Sequence, residues 1–102
     1  QELAVMKRGA VLVKEARGAV LDEEAVADAV SDGRLGGFGC DVYSGEPFEK
    51  THPYTKILDR KNVLLTPHAA WAAVEARERC LGVIRDNIDA YIRGEKKNRV
   101  DI

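Results

Sequence analysis

Three stretches in succession settle the fold: Ala10-Val11-Leu12-Val13, then Asp22-Glu23-Glu24-Ala25-Val26-Ala27-Asp28-Ala29-Val30-Ser31-Asp32-Gly33, then Leu35-Gly36-Gly37-Phe38-Gly39-Cys40-Asp41-Val42. The first is a short continuous apolar run, which suits a strand buried on both faces of a parallel sheet. The second carries a full set of helix signals. Asp22 is a natural N-cap, Glu23 and Glu24 complement the positive helix start, Leu21 and Val26 have the spacing of a hydrophobic staple, and Gly33 follows the last turn. The spacing predicts a helix over 23–32. The third stretch reads as a second buried strand over 35–42. Its glycines at 36, 37 and 39 mark either close approach by another backbone or a ligand, or simple tight packing.

Working outward, residues 3–9 have helix formers, basic residues and then Gly9, the composition of a helix end. The chain opens Gln1-Glu2-Leu3 without an initiator methionine and already inside what reads as a helical turn, so a piece of a longer protein is expected. Residues 43–61 lack periodicity and hold Gly45, Pro47 and Pro53. They read as a long loop with at most a helical turn near 54–58, and loops of that length in compact domains tend to be functional or disordered. Val63-Leu64-Leu65 is a third strand. From Val74 the positions Val74, Leu81, Ile84, Ile88, Tyr91 and Ile92 keep one apolar stripe to Gly94, predicting a long amphipathic helix followed by a polar tail.

Strand, helix, strand, loop, strand, helix is the alternation of an α/β parallel sheet. Three strands and two helices cannot cover both faces of such a sheet, which again points to missing chain. At 102 residues, the chain is the size of one small domain, burying roughly 60–65% of its unfolded surface.

Composition excludes several functions. With 16 basic and 17 acidic residues there is no electrostatic case for nucleic acid or an anionic membrane. No apolar run approaches the ~18 residues that span a bilayer and no leader opens the chain, so a cytoplasmic protein is expected. Cys40 and Cys80 form neither a CxxC pair nor a ligand set with the two histidines. No metal site is expected, and both cysteines read as buried free thiols.

The chemistry is placed by the strand ends. In an open α/β sheet, ligands bind outside the carboxyl ends of the strands. The first strand is followed by Arg17, the second by Asp41 and Glu46, the third by Thr66-Pro67-His68. An arginine fork clamps a carboxylate, a glutamate orients and charges a histidine, and a histidine transfers a proton near neutrality. Taken singly, each also has a plain reading: a surface salt bridge for Arg17 and Glu46, a turn for Asp41, a packing residue for His68.

Ala16-Arg17-Gly18, Leu21-Asp22-Glu23-Glu24-Ala25, Gly39-Cys40-Asp41-Val42-Tyr43, Gly45-Glu46-Pro47 and Asn62-Val63-Leu64-Leu65-Thr66-Pro67-His68, in this order and spacing, resemble the C-terminal portion of the D-isomer-specific 2-hydroxyacid dehydrogenases. The resemblance covers essentially the whole chain. It implies the C-terminal half of a doubly wound, Rossmann-like NAD-binding domain at residues 1–70, and a long helix and tail at 71–102 that pack back toward a substrate domain. It implies hydride transfer between NAD, with NADP left open, and a small 2-keto or 2-hydroxy acid, in a parent protein that pairs as a homodimer. Arg17 matches the substrate-binding arginine. Glu46 and His68 match the acid/base dyad, the glutamate raising the histidine pKa. Asp41 matches the aspartate near the nicotinamide carboxamide, with Glu15, Ala16, Arg17 and His68 also at the cofactor edge.

The chain departs from the pattern in two places. Lys14 and Glu15 stand where many members have asparagine and a small residue, and Ala69-Ala70-Trp71 follows the histidine as in a subset resembling glycerate or hydroxypyruvate reductases. No GxGxxG occurs in the 102 residues, so the pyrophosphate half of a dinucleotide site is lacking and the chain alone is expected to be inactive. The same fold resembles the C-terminal-binding corepressors of transcription, which leaves a dinucleotide-sensing regulatory protein as the alternative.

Overall fold

The computed structural model describes residues 2–100; Gln1 and the last two residues of the tail lie outside it. It divides into two compact units, residues 1–70 and 71–102. In the first unit the elements are α1 (Glu2–Val5), β1 (Ala10–Lys14), α2 (Glu23–Ser31), β2 (Leu35–Cys40) and β3 (Val63–Leu65), with a 3-10 turn at Pro53–Ile57 in the long loop. The strands form one parallel sheet in the order β1-β2-β3.

Local signals account for the boundaries. Asp22 is extended and accepts the Ala25 N–H at 3.0 Å, so one carboxylate satisfies an orphan donor of α2 and meets its positive end. Gly33 (φ 75°) takes the left-handed conformation that stops the helix. Close backbone approach explains one of the three β2 glycines. A Cβ on Gly36 would lie 2.3 Å from the Gly9 carbonyl oxygen, whereas Gly37 and Gly39 have room for ordinary contacts.

The core lies between α2, one face of β2 and the 3-10 turn: Val26, Ala27 and Val30 pack with Leu35, Phe38, Tyr54 and Ile57. Full burial of each large apolar side chain is worth ~1.5–3 kcal/mol. The Phe38 and Tyr54 rings meet edge-on at 5.0 Å. The expectation that β1 is buried on both faces fails. Leu12 is half-buried and Lys14 buried, but Val11 and Val13 are 68% and 64% exposed, as is Leu64 of β3 at 68%. The period of two sends alternate side chains to a face that α2 does not cover.

The second unit holds α3 (Val74–Ile92) and the tail. The tail turns back on its helix through Glu95 N–H to the Ala90 carbonyl (2.9 Å) and Lys97 to Asp86 (3.3 Å). Ala90 is the one buried residue of α3, and its stripe of Leu81, Ile84, Ile88 and Tyr91 is exposed. Cys80 therefore departs from expectation. Cys40 is a buried free thiol, but Cys80 is exposed on α3.

Candidate active site

Register gathers the site. Lys14 pairs with Cys40 and Cys40 with Leu65, so the residues that follow β1, β2 and β3 leave the sheet from one edge. Arg17, Asp41, Glu46 and His68 all belong to those exits.

His68 has φ 54°, the left-handed region that costs a residue other than glycine of order 1–3 kcal/mol. Asp41, just past β2, supplies the opposing interactions. Its Oδ1 accepts from the Thr66 hydroxyl (2.5 Å) and the Ala69 N–H (2.8 Å), and its Oδ2 from the Ala70 N–H (3.0 Å). One carboxylate thus ties down the chain on both sides of the histidine. These donors, the Thr66 hydroxyl foremost and then the Ala70 amide, hold the Asp41 carboxyl below the usual range. Tyr43 adds a second tie, its buried hydroxyl donating to the Thr66 carbonyl (2.7 Å) and reaching that of Cys40 (3.1 Å). Burial first, then the neighbouring Cys40, pushes the phenol up to about 12.

Glu46 Oε2 lies 2.6 Å from His68 Nδ1, and its Oε1 accepts the Tyr43 N–H at 2.9 Å. Both oxygens are therefore oriented. The His68 ring, followed by the Tyr43 amide, holds the Glu46 carboxyl below its usual range. Nδ1 is the ring nitrogen turned to the carboxylate, so proton exchange by this ring would run through Nε2. Both side chains are about one-third exposed, at 39% and 34%, and border a cavity of about 660 Å³ with an apolar wall of Phe48, Leu58 and Leu65.

Arg17 is exposed, with Nη1 donating to the Ala16 carbonyl at 3.0 Å, and it is not among the lining residues of that cavity. Glu15 and Ala16 beside it are exposed as well. The Arg17 loop nevertheless lies directly against the loop that carries Glu46. A Cβ on Gly18 would fall 2.1 Å from the Tyr43 carbonyl carbon and 2.2 Å from the Ser44 nitrogen. Lys14, one of the two departures from the family pattern at this edge, turns inward. It is buried, and its Nζ donates to the Gly18 carbonyl at 2.5 Å. The sequence reading missed the roles of Thr66 and Tyr43 in holding this edge together. The available signal was their position, Thr66 next to the strand end and Tyr43 three residues before Glu46.

Among the described residues, no helix is long and apolar enough to cross a membrane. A sequence profile of the D-isomer specific 2-hydroxyacid dehydrogenase NAD-binding domain matches residues 1–70. The chain is 39% identical over 101 residues to a glycerate dehydrogenase of Methylorubrum extorquens, covering 99% of this chain and 32% of that protein. It is 38% identical over 96 residues to a mitochondrial formate dehydrogenase of Hordeum vulgare, covering 94% and 25%. The crystal structure of a D-isomer specific 2-hydroxyacid dehydrogenase from Xanthobacter autotrophicus in complex with NADPH and MES superposes with a TM-score of 0.73 at 35% identity, covering 97% of this chain and 39% of that one. The chain spans between a quarter and a third of the length of these curated relatives. With the profile matching more than half its residues, the chain belongs to the D-isomer specific 2-hydroxyacid dehydrogenase family.

Proposed function

We propose that this chain supplies the nicotinamide and substrate side of an NAD(P)-dependent dehydrogenase that interconverts small 2-keto and 2-hydroxy acids. Residues 1–70 act as the C-terminal half of the dinucleotide domain, and 71–102 pack back toward a substrate domain in a parent protein that pairs as a homodimer. The observation that carries the reading is the 2.6 Å contact of Glu46 Oε2 with His68 Nδ1, at the same sheet edge as Arg17.

The donor set fits the nicotinamide end of the cofactor. Asp41 Oδ2 receives one of the described hydrogen bonds, where a carboxylate oxygen can accept two, so a position remains for a carboxamide N–H. The chain has no glycine-rich turn for the pyrophosphate. A bound nicotinamide supplies the hydride. Protonated His68 donates from Nε2 to the keto oxygen as the carbonyl carbon is reduced; in the reverse direction the neutral ring takes the hydroxyl proton. Glu46 remains ionised throughout and compensates the imidazolium through Nδ1. Arg17 fixes the carboxylate bidentately, which sets the angle of the adjacent carbonyl.

The test is steady-state kinetics on the dehydrogenase that carries these residues. His68→Ala should lower kcat by ~10²–10⁴, the range of general acid–base catalysis. Arg17→Lys should raise KM for the keto acid, because an ammonium cannot reproduce the planar fork. Wild-type rates in either variant overturn the assigned roles. An unaltered protein that binds NADH or NADPH but turns over no 2-keto acid would favour a dinucleotide-sensing protein instead.

A further inference from the structure

We infer that Lys14 and Glu23 form a positioning pair that sets the Arg17 loop and the Glu46 loop relative to one another; the inference rests on the roles proposed above for Arg17 and Glu46. Lys14 ends β1 and is 5% exposed. Its Nζ closes the 15–17 loop by donating to the Gly18 carbonyl at 2.5 Å and stands 3.7 Å from Glu23 Oε1. That same Oε1 accepts the Ser44 N–H at 3.0 Å, two residues before Glu46. Glu23 Oε2 faces His52 Nε2 at 3.0 Å, and His52 Nδ1 accepts the Tyr54 N–H at 3.2 Å. With Nδ1 accepting from the Tyr54 amide, the ring presents Nε2 as its donor to Glu23.

The charge balance explains why the pair acts as a unit. An ammonium this deeply buried persists only beside an opposite charge and hydrogen-bond acceptors, and removal of one partner leaves the other uncompensated. Loop closure alone would need no charge, since a neutral donor on Lys14's position could reach the Gly18 carbonyl. The ammonium adds an attraction to Glu23, and Glu23 in turn holds Ser44. Gly18 and the Tyr43–Ser44 backbone are already in direct contact, so any slack at Lys14 passes from one loop to the other.

The experiment reads each loop after perturbing the opposite one. The Val20 amide donates to the Arg17 carbonyl (3.2 Å) and reports on the first loop; the Tyr43 amide donates to Glu46 (2.9 Å) and reports on the second. The Phe38 amide, bonded to the Asn62 carbonyl, is the control in the sheet. Lys14→Met and Glu23→Gln are made singly and together and followed by amide hydrogen exchange. Each single variant should speed exchange about 10-fold or more at both Val20 and Tyr43 with Phe38 unchanged, and the double variant should add little to either. Lys14→Arg, which keeps the charge, should retain protection. An effect confined to the near loop, additive singles, or a uniform loss that includes Phe38 overturns the inference. In the dehydrogenase carrying these residues, Lys14→Met should raise KM for the keto acid more than it lowers kcat. An unaltered protein without turnover removes the functional reading alone, because the exchange result decides the positioning separately.

Discussion

Gly18→Ala is the sharpest single perturbation of the arrangement by which the Arg17 loop rests on the Glu46 loop. The added methyl would sit 2.1 Å from the carbonyl carbon and oxygen of Tyr43 and 2.2 Å from the Ser44 nitrogen. Each obstacle is backbone rather than the end of a flexible side chain. To regain an ordinary contact of ~3.4 Å the two segments must part by roughly 1.3 Å. Such movement strains the Lys14 bond to the Gly18 carbonyl and the Glu23 bond to the Ser44 amide. Overpacking of this kind costs ~1–3 kcal/mol, and a rigid obstacle places it at the upper end. For a domain of this size ~3 kcal/mol lowers Tm by ~12–24 °C. Gly45→Ala is the matched control two residues away from Tyr43. No atom lies within 4 Å of its added methyl, and its effect should stay within ~0.5 kcal/mol. Thermal unfolding of both variants by circular dichroism decides the matter. A Gly18→Ala melt within ~2 °C of the Gly45→Ala melt would mean that the two loops are not in the contact described.

Three other outcomes follow from the same structure. Asp41 and Glu46 are both held below the ordinary carboxylate range, by the Thr66 hydroxyl and the His68 ring first in each case. A depressed folded value means that each carboxylate stabilises the fold fully above its unfolded pKa of ~4 and loses that contribution as pH falls through the lower folded value. The Ala69 and Ala70 amide shifts should thus hold from neutral pH to about 4 and titrate below it; a midpoint above the ordinary 3.8 refutes the Asp41 assignment. Calorimetric titration of the 102-residue chain with NADH should give a Kd of ~1 mM or weaker. The nicotinamide-edge hydrogen bonds, ~0.5–1.5 kcal/mol each, must offset ~4–15 kcal/mol of lost ligand freedom, and low-micromolar affinity would show that argument to be mistaken. Gly82→Ala in α3, where the added methyl meets nothing within 4 Å, should stabilise the helix by ~0.5–1 kcal/mol, seen as higher residual helicity on heating. No gain would mean that the helix is not continuous at that position.

The features that were legible in the sequence are those fixed by neighbours a few residues away. Asp22 caps α2 because its carboxylate reaches an amide three residues on, and Gly33 and Gly94 end helices because glycine adopts positive φ without a Cβ clash. Arg17, Glu46 and His68 were legible as candidates for a similar reason: in a parallel sheet the residues that leave the strand ends must share an edge, whatever the rest of the chain does. The hold of Asp41 on the His68 turn was not legible. Whether its carboxylate faces a ligand or the His68 turn depends on a positive φ at His68, and nothing in Thr66-Pro67-His68 announces that conformation.

Lys14 differs from Asp41, because the information about it was present and was misapplied. Once 10–14 is a strand with one face packed on a helix, parity fixes every side chain in it: Val11 and Val13 share one face, Leu12 and Lys14 the other. Reading the run as buried on both faces discarded that parity, and with it the inward placement of Lys14. The strand's own composition could have corrected this. A lysine on the core side of a strand end is stable only beside an acceptor and a carboxylate, and the helix that starts nine residues later offers Glu23 in its first turn. The two exposed valines and the buried lysine are one fact about register, and that register sets the lysine's ammonium on the Gly18 carbonyl, one residue beyond Arg17.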